Sequence, residues 1–222
     1  MRITVTSLSA GGSDEICVSF ELAEGDKVCR EKFLIPTDAY LSLGVEKGEV
    51  DTEIYNAVER EAQIYSAFKR GLYILSYGAC SGRMLMSKLV LKGAPREAAE
   101  CAVERICARG FMNEEANALR EAEICLGKLW GEGRIKAHLI KRRYSAEIID
   151  QVFFSLEDSG VDFDLLCKKA IAAKYKKLPE DRAEMQKLVA AVCRLGYDLS
   201  QIKCACAALR EEYRKRRIYY GE

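Results

Sequence analysis

One stretch of the sequence recurs, imperfectly, on both sides of itself, and this internal repeat constrains the fold more than any other feature. In residues 134–156, apolar side chains recur at helical spacing in two runs, which residues 141–144 separate. Shifting the register back by 50 residues or forward by 53 finds the same apolar spacing and a turn between the runs. One further amphipathic run precedes each copy. The repeat therefore predicts three-helix modules of about 50 residues each, the period of a helical array.

Equivalent positions of the three copies are predicted to form the module cores. For the first helix of the repeat these are Leu85, Leu89 and Val90, then Ile135, Leu139 and Ile140, then Leu188, Val192 and Cys193. Local signals agree with this register: Ser145 stands where an N-cap belongs, and Asp198 with Gln201 has the spacing of a capping box.

The N-terminal residues have a different pattern. Alternating apolar residues, glycine-rich turns and a proline at position 36 indicate three β-strands, followed by a short helix from Asp38 to Leu43. A sheet of three such strands is only marginally stable by itself, so we expect it to dock on the first helical module or to dimerise. From Asp51 one long apolar stripe, interrupted by Gly71, predicts a helix.

These patterns predict a mainly α fold, with tandem three-helix repeats in an elongated array and a small N-terminal β meander. The predicted segments are a β-rich region at 1–50, repeats at 51–110, 111–163 and 164–212, and a basic tail at 213–222.

Charge is segregated along the chain, although the formal net charge is only +1. Counted by segment, the net charge is −6 over residues 1–53, +4 over 54–110, −3 over 111–163 and +6 over 164–222. An acidic beginning and a basic end suggest a polyanion or an acidic protein surface as the partner.

Ten cysteines form no CxxC pair, and no signal peptide precedes them, so a reduced cytoplasmic location fits best. We interpret Cys101, Cys107, Cys193 and Cys206 as small core residues. No run reaches the ~20 apolar residues of a membrane span, which predicts a soluble protein.

Enzymatic chemistry has little basis in this sequence. His138 is the single histidine, and no acid, base and nucleophile converge in the pattern, so we expect no catalytic site and no cofactor. The glycines beside Lys128 lack the strand and the Ser or Thr that a phosphate loop requires. We interpret Trp130, the single tryptophan, as a packing residue between modules rather than a base-stacking platform.

Several pieces of the sequence resemble the RecX family of recombination regulators over roughly residues 40–209. The most specific are Leu75-Ser76-Tyr77 followed by Ser81, then Gly131 with Arg134-Ile135 and Leu139, and finally Gly196-Tyr197. The chain departs from the family pattern at Gly78 and Ala79, at Ala116, and at Arg143, where a glycine is usual.

The resemblance implies a regulatory protein of DNA repair, recombination and the SOS response. Such proteins bind the RecA filament on single-stranded DNA, inhibit its ATPase and strand exchange, and contact single-stranded DNA weakly and without sequence preference. A monomer is expected. Two alternatives stay open: a helical-repeat adaptor for another protein, and a stand-alone module that binds single-stranded nucleic acid.

Basic residues recur beside the turn of each copy and form the candidate contacts for a polyanion. These candidates are Lys88, Lys92, Arg134, Lys136, Lys141, Arg142, Arg143, Lys168, Lys169, Lys176, Lys177, Arg194 and Lys203. The run 141–143 is the strongest, because three consecutive cations in a turn cannot all face a core. Lys174 and the tail, Tyr213 to Tyr220, are further candidates. For any single cation, a solubilising surface role is the alternative.

Overall fold

The chain is mainly helical, with a small antiparallel sheet at its N-terminus, as the sequence predicts. The computed structural model describes the backbone of residues 1–220 and the side chains of residues 1–215. The chain divides into two compact units, Met1–Asn113 and Glu114–Glu222. The finer division into three repeats stays a prediction.

The N-terminal unit begins with the sheet. Its strands are β1 (Arg2–Gly12), β2 (Glu15–Glu24), β3 (Lys27–Pro36) and β4 (Gly48–Glu49). They are ordered β3-β2-β1-β4, and all neighbours are antiparallel. The predicted meander of three strands is therefore incomplete: a two-residue strand, too short to leave a periodic signal, pairs with Thr4 and Val5 of β1.

Four helices complete this unit. They are α1 (Thr37–Leu43), α2 (Thr52–Ser76), α3 (Gly82–Leu91) and α4 (Arg96–Ala108). One face of the sheet, with Val18, Phe20 and Ile35 fully buried, packs in one cluster with Val58 of α2. The expected docking of the sheet on the first helical module is thus confirmed.

Helix α2 runs without a break through Gly71, the residue that interrupts the apolar stripe of the sequence. Gly71 is buried, and a Cβ at this position would lie 2.5 Å from Ile106 Cδ1 of α4. The absence of a side chain lets the two helices approach closely, and packing outweighs the low helix propensity of glycine.

The second unit is entirely helical over its described residues. Its helices are α5 (Glu114–Gly127), α6 (Glu132–Lys141), α7 (Ala146–Asp158), α8 (Phe163–Lys174), α9 (Arg182–Cys193) and α10 (Leu199–Tyr220). Two clusters of buried residues lie in it, one formed by α5–α7 and one by α8–α10.

Equivalent positions of the repeat are buried in all three copies. Those in the first helix are Leu85 with Leu89, Ile135 with Leu139, and Leu188 with Val192. The residues that follow the second member of each pair are exposed instead: Val90 by 41%, Ile140 by 63%, and Cys193. Their prediction as core residues is wrong, because one further residue turns the side chain by about 100° around the helix.

The predicted caps at the repeat turns are confirmed. The Ile148 amide donates to the Ser145 hydroxyl, and Asp198 and Gln201 form a reciprocal capping box. Before α3, the Met84 amide donates to the Ser81 hydroxyl in the same way. Cys206 is buried as predicted, whereas Cys107 is exposed.

Two sequence features remain outside these elements. In the basic tail, Arg216, Arg217, Tyr219 and Tyr220 lie outside the described side chains. Among the described residues, no helix combines the length and the apolar character needed to cross a membrane.

Candidate polyanion-binding site

The predicted cations occupy several elements of both units and do not gather at one point. Lys88 and Lys92 belong to α3 and the turn after it, in the N-terminal unit, and both are exposed. The second unit holds the others. Of these, Lys141, Arg143, Lys169, Lys176, Lys177, Arg194 and Lys203 are exposed, and Arg134, Lys136, Arg142 and Lys168 are half-buried.

Three of the candidate lysines are held in ion pairs. Lys136 Nζ lies 2.6 Å from Glu132 Oε1, Lys177 Nζ lies 2.7 Å from Glu180 Oε1, and Lys168 pairs with Glu212. An ion pair near the surface adds little stability, but it lowers the net charge available to a partner. These positions are therefore weaker candidates than the sequence suggests.

Arg142, in the strongest predicted run, has an internal role. Its Nε and Nη2 donate to Glu121 of α5 at 3.0 and 2.8 Å. The same carboxylate lies 3.1 Å from His138 Nε2 and accepts from the Tyr144 hydroxyl at 3.2 Å. Burial, followed by the charge of Glu121, raises the pKa of Tyr144 above its ordinary value. This Glu121 network ties the α6–α7 turn to α5, so Arg142 stabilises the module.

Trp130 lies where α5 leads into α6. Its ring packs against the α5–α7 core cluster, within one predicted module, and meets the His138 ring edge-on with centroids 5.7 Å apart. The predicted packing between modules stays a prediction. The Arg134 guanidinium lies over the same ring, 3.9 Å from its centroid, which fits a cation–π contact. Trp130 thereby fixes the direction of Arg134.

Arg134 and Arg194, 60 residues apart in sequence, are brought together. The Arg134 Nη1 donates to the Arg194 carbonyl at 3.1 Å. Both residues, together with Lys174, line a cleft of about 650 Å³ whose remaining lining is Tyr175 and aliphatic side chains. Three cations and no carboxylate line this basic cleft, so it favours an anionic ligand.

A backbone junction holds the two sides of the basic cleft together. The Gly131 amide donates to the Leu195 carbonyl at 2.7 Å, and the Gly133 amide donates to the Gly196 carbonyl at 3.2 Å. A Cβ on Gly131 would lie 2.7 Å from the Gly196 carbonyl carbon. The junction therefore requires glycine at position 131. The residues that carry the RecX resemblance thus position Arg134 beside Arg194.

The sequence pattern does not group Lys174 with these arginines. Lys174 is the last residue of α8, and a basic run from 174 to 177 was visible in the sequence. Only the folded position distinguishes Lys174, which lines the basic cleft, from Lys176 and Lys177, which do not.

Metal and thiol chemistry find no support in the described residues. They include no group of three His, Cys, Asp or Glu side chains that could hold a metal ion. Burial raises the pKa of the Cys167 thiol to about 12 and also raises the pKa of Cys125 and Cys206. Such thiols stay protonated and unreactive at neutral pH.

The fold defines a class of mainly helical proteins with a small N-terminal antiparallel sheet. More particularly, the chain has a RecX-like fold. It is similar to a crystal structure of regulatory protein RecX, with a TM-score of 0.68 and 20% identity, over 90% of this chain and 98% of that one.

A second solved structure, RecX from Lactobacillus salivarius, is similar over 67% of this chain and 97% of its own, with a TM-score of 0.56 and 15% identity. No protein-family profile and no curated protein matches the chain. The resemblance seen in the sequence is thus confirmed for the fold.

Proposed function

We propose that this protein binds the filament that the RecA recombinase forms on single-stranded DNA, and inhibits ATP hydrolysis and strand exchange. The observation that carries the proposal is the RecX-like fold, which extends over 90% of this chain and 98% of the similar regulatory protein. The role in recombination comes from the resemblance of the sequence motifs to that family.

The arrangement of charge supports a long anionic partner. Lys88, Lys141 and Lys203 are exposed cations on or beside helices of the three predicted repeats, and the basic cleft adds Arg134, Lys174 and Arg194. Contacts of this kind to phosphates or carboxylates carry no sequence information and weaken as salt screens them. Binding should therefore depend on salt and not on base order.

The direct test measures ATP hydrolysis by RecA on single-stranded DNA, with this protein added up to a stoichiometric amount. We expect the rate to fall as the protein is added, and the fall to be smaller at higher salt. An unchanged rate would favour an adaptor for another protein. Tight binding to naked single strands without RecA would favour a stand-alone nucleic-acid module.

The basic cleft provides the charge test. Reversing Lys174→Glu with Arg194→Glu should weaken inhibition, because both side chains line the basic cleft while the backbone junction stays intact. The matched control reverses Arg120→Glu with Lys187→Glu, two exposed cations of the same unit outside that cleft. Equal inhibition by both double variants would remove the basic cleft from the proposal.

Within the run 141–143, Lys141 is the residue to change. It is exposed, whereas Arg142 holds Glu121, so reversal of all three residues would confound binding with stability. Lys141→Glu should reduce inhibition with little change in the melting temperature, measured by circular dichroism.

A further inference from the structure

The N-terminal unit contains a second basic groove that the sequence motifs do not mark. This β3 groove has a volume of about 460 Å³ and is lined by residues 32–34 of β3, by residues of α2 between 62 and 70, and by residues 93–95 of the α3–α4 turn. All of these residues belong to one compact unit.

The β3 groove lies along the edge of the sheet rather than over one face. Consecutive residues of a strand point to opposite faces, yet Lys32, Phe33 and Leu34 all line the groove. Among the described residues β3 is the outermost strand on this side, since the order is β3-β2-β1-β4. An outer strand presents backbone N–H and C=O groups that no neighbouring strand uses. The β3 groove therefore offers a template for one more strand.

The charge of the β3 groove is positive. Its lining includes Lys32, Lys69 and Arg70, and no carboxylate. Moreover, the sequence from Ala62 to Arg96, which supplies two of its three walls, contains six basic residues and no acidic one. Two neighbouring carboxylates, Glu15 and Glu59, are bonded to lining residues, and Glu15 pairs with Lys69. The three cations of the lining outnumber them, so positive charge dominates the lining.

The three cations differ in how far they are already engaged. Lys69 Nζ lies 2.9 Å from Glu15 Oε1, so the carboxylate partly compensates the charge of Lys69. The Arg70 Nη1 donates to the Lys92 carbonyl at 2.6 Å, a neutral partner that leaves the guanidinium charge uncompensated. Lys32 is exposed and forms no ion pair within the described part of the chain. Lys32 and Arg70 are thus the cations that can meet a ligand.

Apolar side chains supply the rest of the lining. Phe33 and Leu34 of β3 line the groove opposite Ala62 and Ala67 of α2, and Pro95 lies at the turn. An added strand whose side chains alternate between apolar and acidic would place the apolar ones against this wall. Nucleic acid offers no backbone N–H groups with the spacing of a strand, so the open edge favours a polypeptide.

We propose that the β3 groove binds an extended acidic segment of a partner protein, which pairs with the outer edge of β3 and directs its carboxylates to Lys32 and Arg70. Hydrogen bonds along the strand would supply affinity, and the two cations would select acidic sequences. This site is separate from the basic cleft, and its test needs no recombinase.

The probe is a short fluorescein-labelled peptide of alternating glutamate and valine, titrated with the full chain and followed by fluorescence anisotropy. We expect saturable binding, which Lys32→Glu with Arg70→Glu weakens by about tenfold. The matched control, Lys27→Glu with Lys47→Glu, reverses two exposed lysines of the same unit outside the β3 groove and should leave binding nearly unchanged. Equal loss in both variants, or no saturable binding, would overturn the proposal.

Strand pairing is tested with a second peptide of the same charge, N-methylated at successive residues so that neither of its edges can donate hydrogen bonds. We expect it to bind about tenfold more weakly. Equal binding of the two peptides would overturn strand addition.

Lys32→Glu alone should weaken binding of the first peptide about fivefold and leave the melting temperature of the protein unchanged. This single variant controls for a folding defect caused by the change at Arg70. Binding of an oligothymidylate with the same dependence on Lys32 would identify a nucleic-acid site and contradict the proposal.

Discussion

Two turns that lie 50 residues apart have the same pattern of backbone hydrogen bonds but use their basic residues differently. After α3, the Gly93 amide donates to the Val90 carbonyl and the Ala94 amide to the Leu89 carbonyl. After α6, Arg143 and Tyr144 make the equivalent bonds to Ile140 and Leu139. Both turns place a residue in the left-handed region, Gly93 at φ 90° and Arg143 at φ 63°.

The turns differ in the side chain that anchors each of them to the first helix of its predicted module, which is α2 for one turn and α5 for the other. The α3–α4 turn is held by Arg70 of α2, which donates to the Lys92 carbonyl and leaves the Lys92 side chain exposed. The α6–α7 turn is held by Glu121 of α5, which binds Arg142 and Tyr144. The same repeat position therefore carries a surface cation in one copy and a structural one in the other. Repetition of charge in a sequence does not by itself predict a binding stripe.

The largest expected effect tests whether the repeats are energetically equivalent. Leu89 and Leu139 occupy the same repeat position and are both fully buried. Leu89→Ala and Leu139→Ala should each lower the free energy of unfolding by about 2–5 kcal/mol, through lost burial and a cavity. Urea denaturation followed by circular dichroism measures both. Ile140→Ala, at an exposed neighbour, is the control, and a near-neutral Leu139→Ala would contradict the common core register.

The third copy of the turn, at Gly196, sharpens the comparison. Gly196 has φ 97°, and a Cβ there would lie 2.3 Å from the Arg134 amide nitrogen. Gly196→Ala should therefore cost about 3 kcal/mol, from left-handed strain and overpacking together. Gly160→Ala is the matched control, because Gly160 has φ 78° with nothing within 4 Å of the added Cβ. It should cost about 1 kcal/mol from strain alone.

Thermal unfolding at matched concentration distinguishes these two variants. Equal costs at Gly160 and Gly196 would mean that the backbone junction between the Gly131 and Gly196 loops does not constrain the fold. A larger cost at Gly196, together with a loss of the proposed RecA inhibition, would link that junction to the basic cleft.

Removing Glu121 tests the difference between the first two turns directly. Glu121→Ala should lower the free energy of unfolding by about 2 kcal/mol, because Arg142 and the Tyr144 hydroxyl lose a charged partner in a half-buried place. Glu123→Ala, an exposed carboxylate of the same helix, should change stability by less than about 0.5 kcal/mol. A Glu121→Ala protein as stable as the Glu123 control would return Arg142 to the set of candidate contacts.

Much of this fold was predictable because its signals are local. Helical periodicity and a 50-residue repeat predict the buried positions Leu85 and Ile135, and a serine before an apolar run predicts the cap at Ser145. The sequence does not reveal β4, because two residues cannot show alternation. Periodicity and caps depend on spacing within a few turns of the chain, whereas the repeat is found by comparing segments about 50 residues apart.

The candidate sites were less predictable because they depend on distant residues. Arg142 meets a carboxylate 21 residues earlier on another helix, and Arg134 meets Arg194 60 residues later. No periodic pattern links such pairs. The β3 groove had one usable signal, the absence of acidic residues between Ala62 and Arg96, which counting charge over whole modules concealed.

The smallest predicted effect exchanges the residues that differ between the two turns. Arg143→Gly should stabilise the protein by about 0.5–1 kcal/mol, because glycine removes the left-handed strain at φ 63° but adds entropy to the unfolded chain. Gly93→Arg should destabilise it by a similar amount. Arg143→Ala distinguishes the effect of backbone strain from the effect of the arginine side chain. Alanine keeps the Cβ, so we expect no gain in stability if strain is the cause. Denaturant midpoints measure all three variants. A gain from alanine equal to that from glycine would assign the effect to the arginine side chain instead.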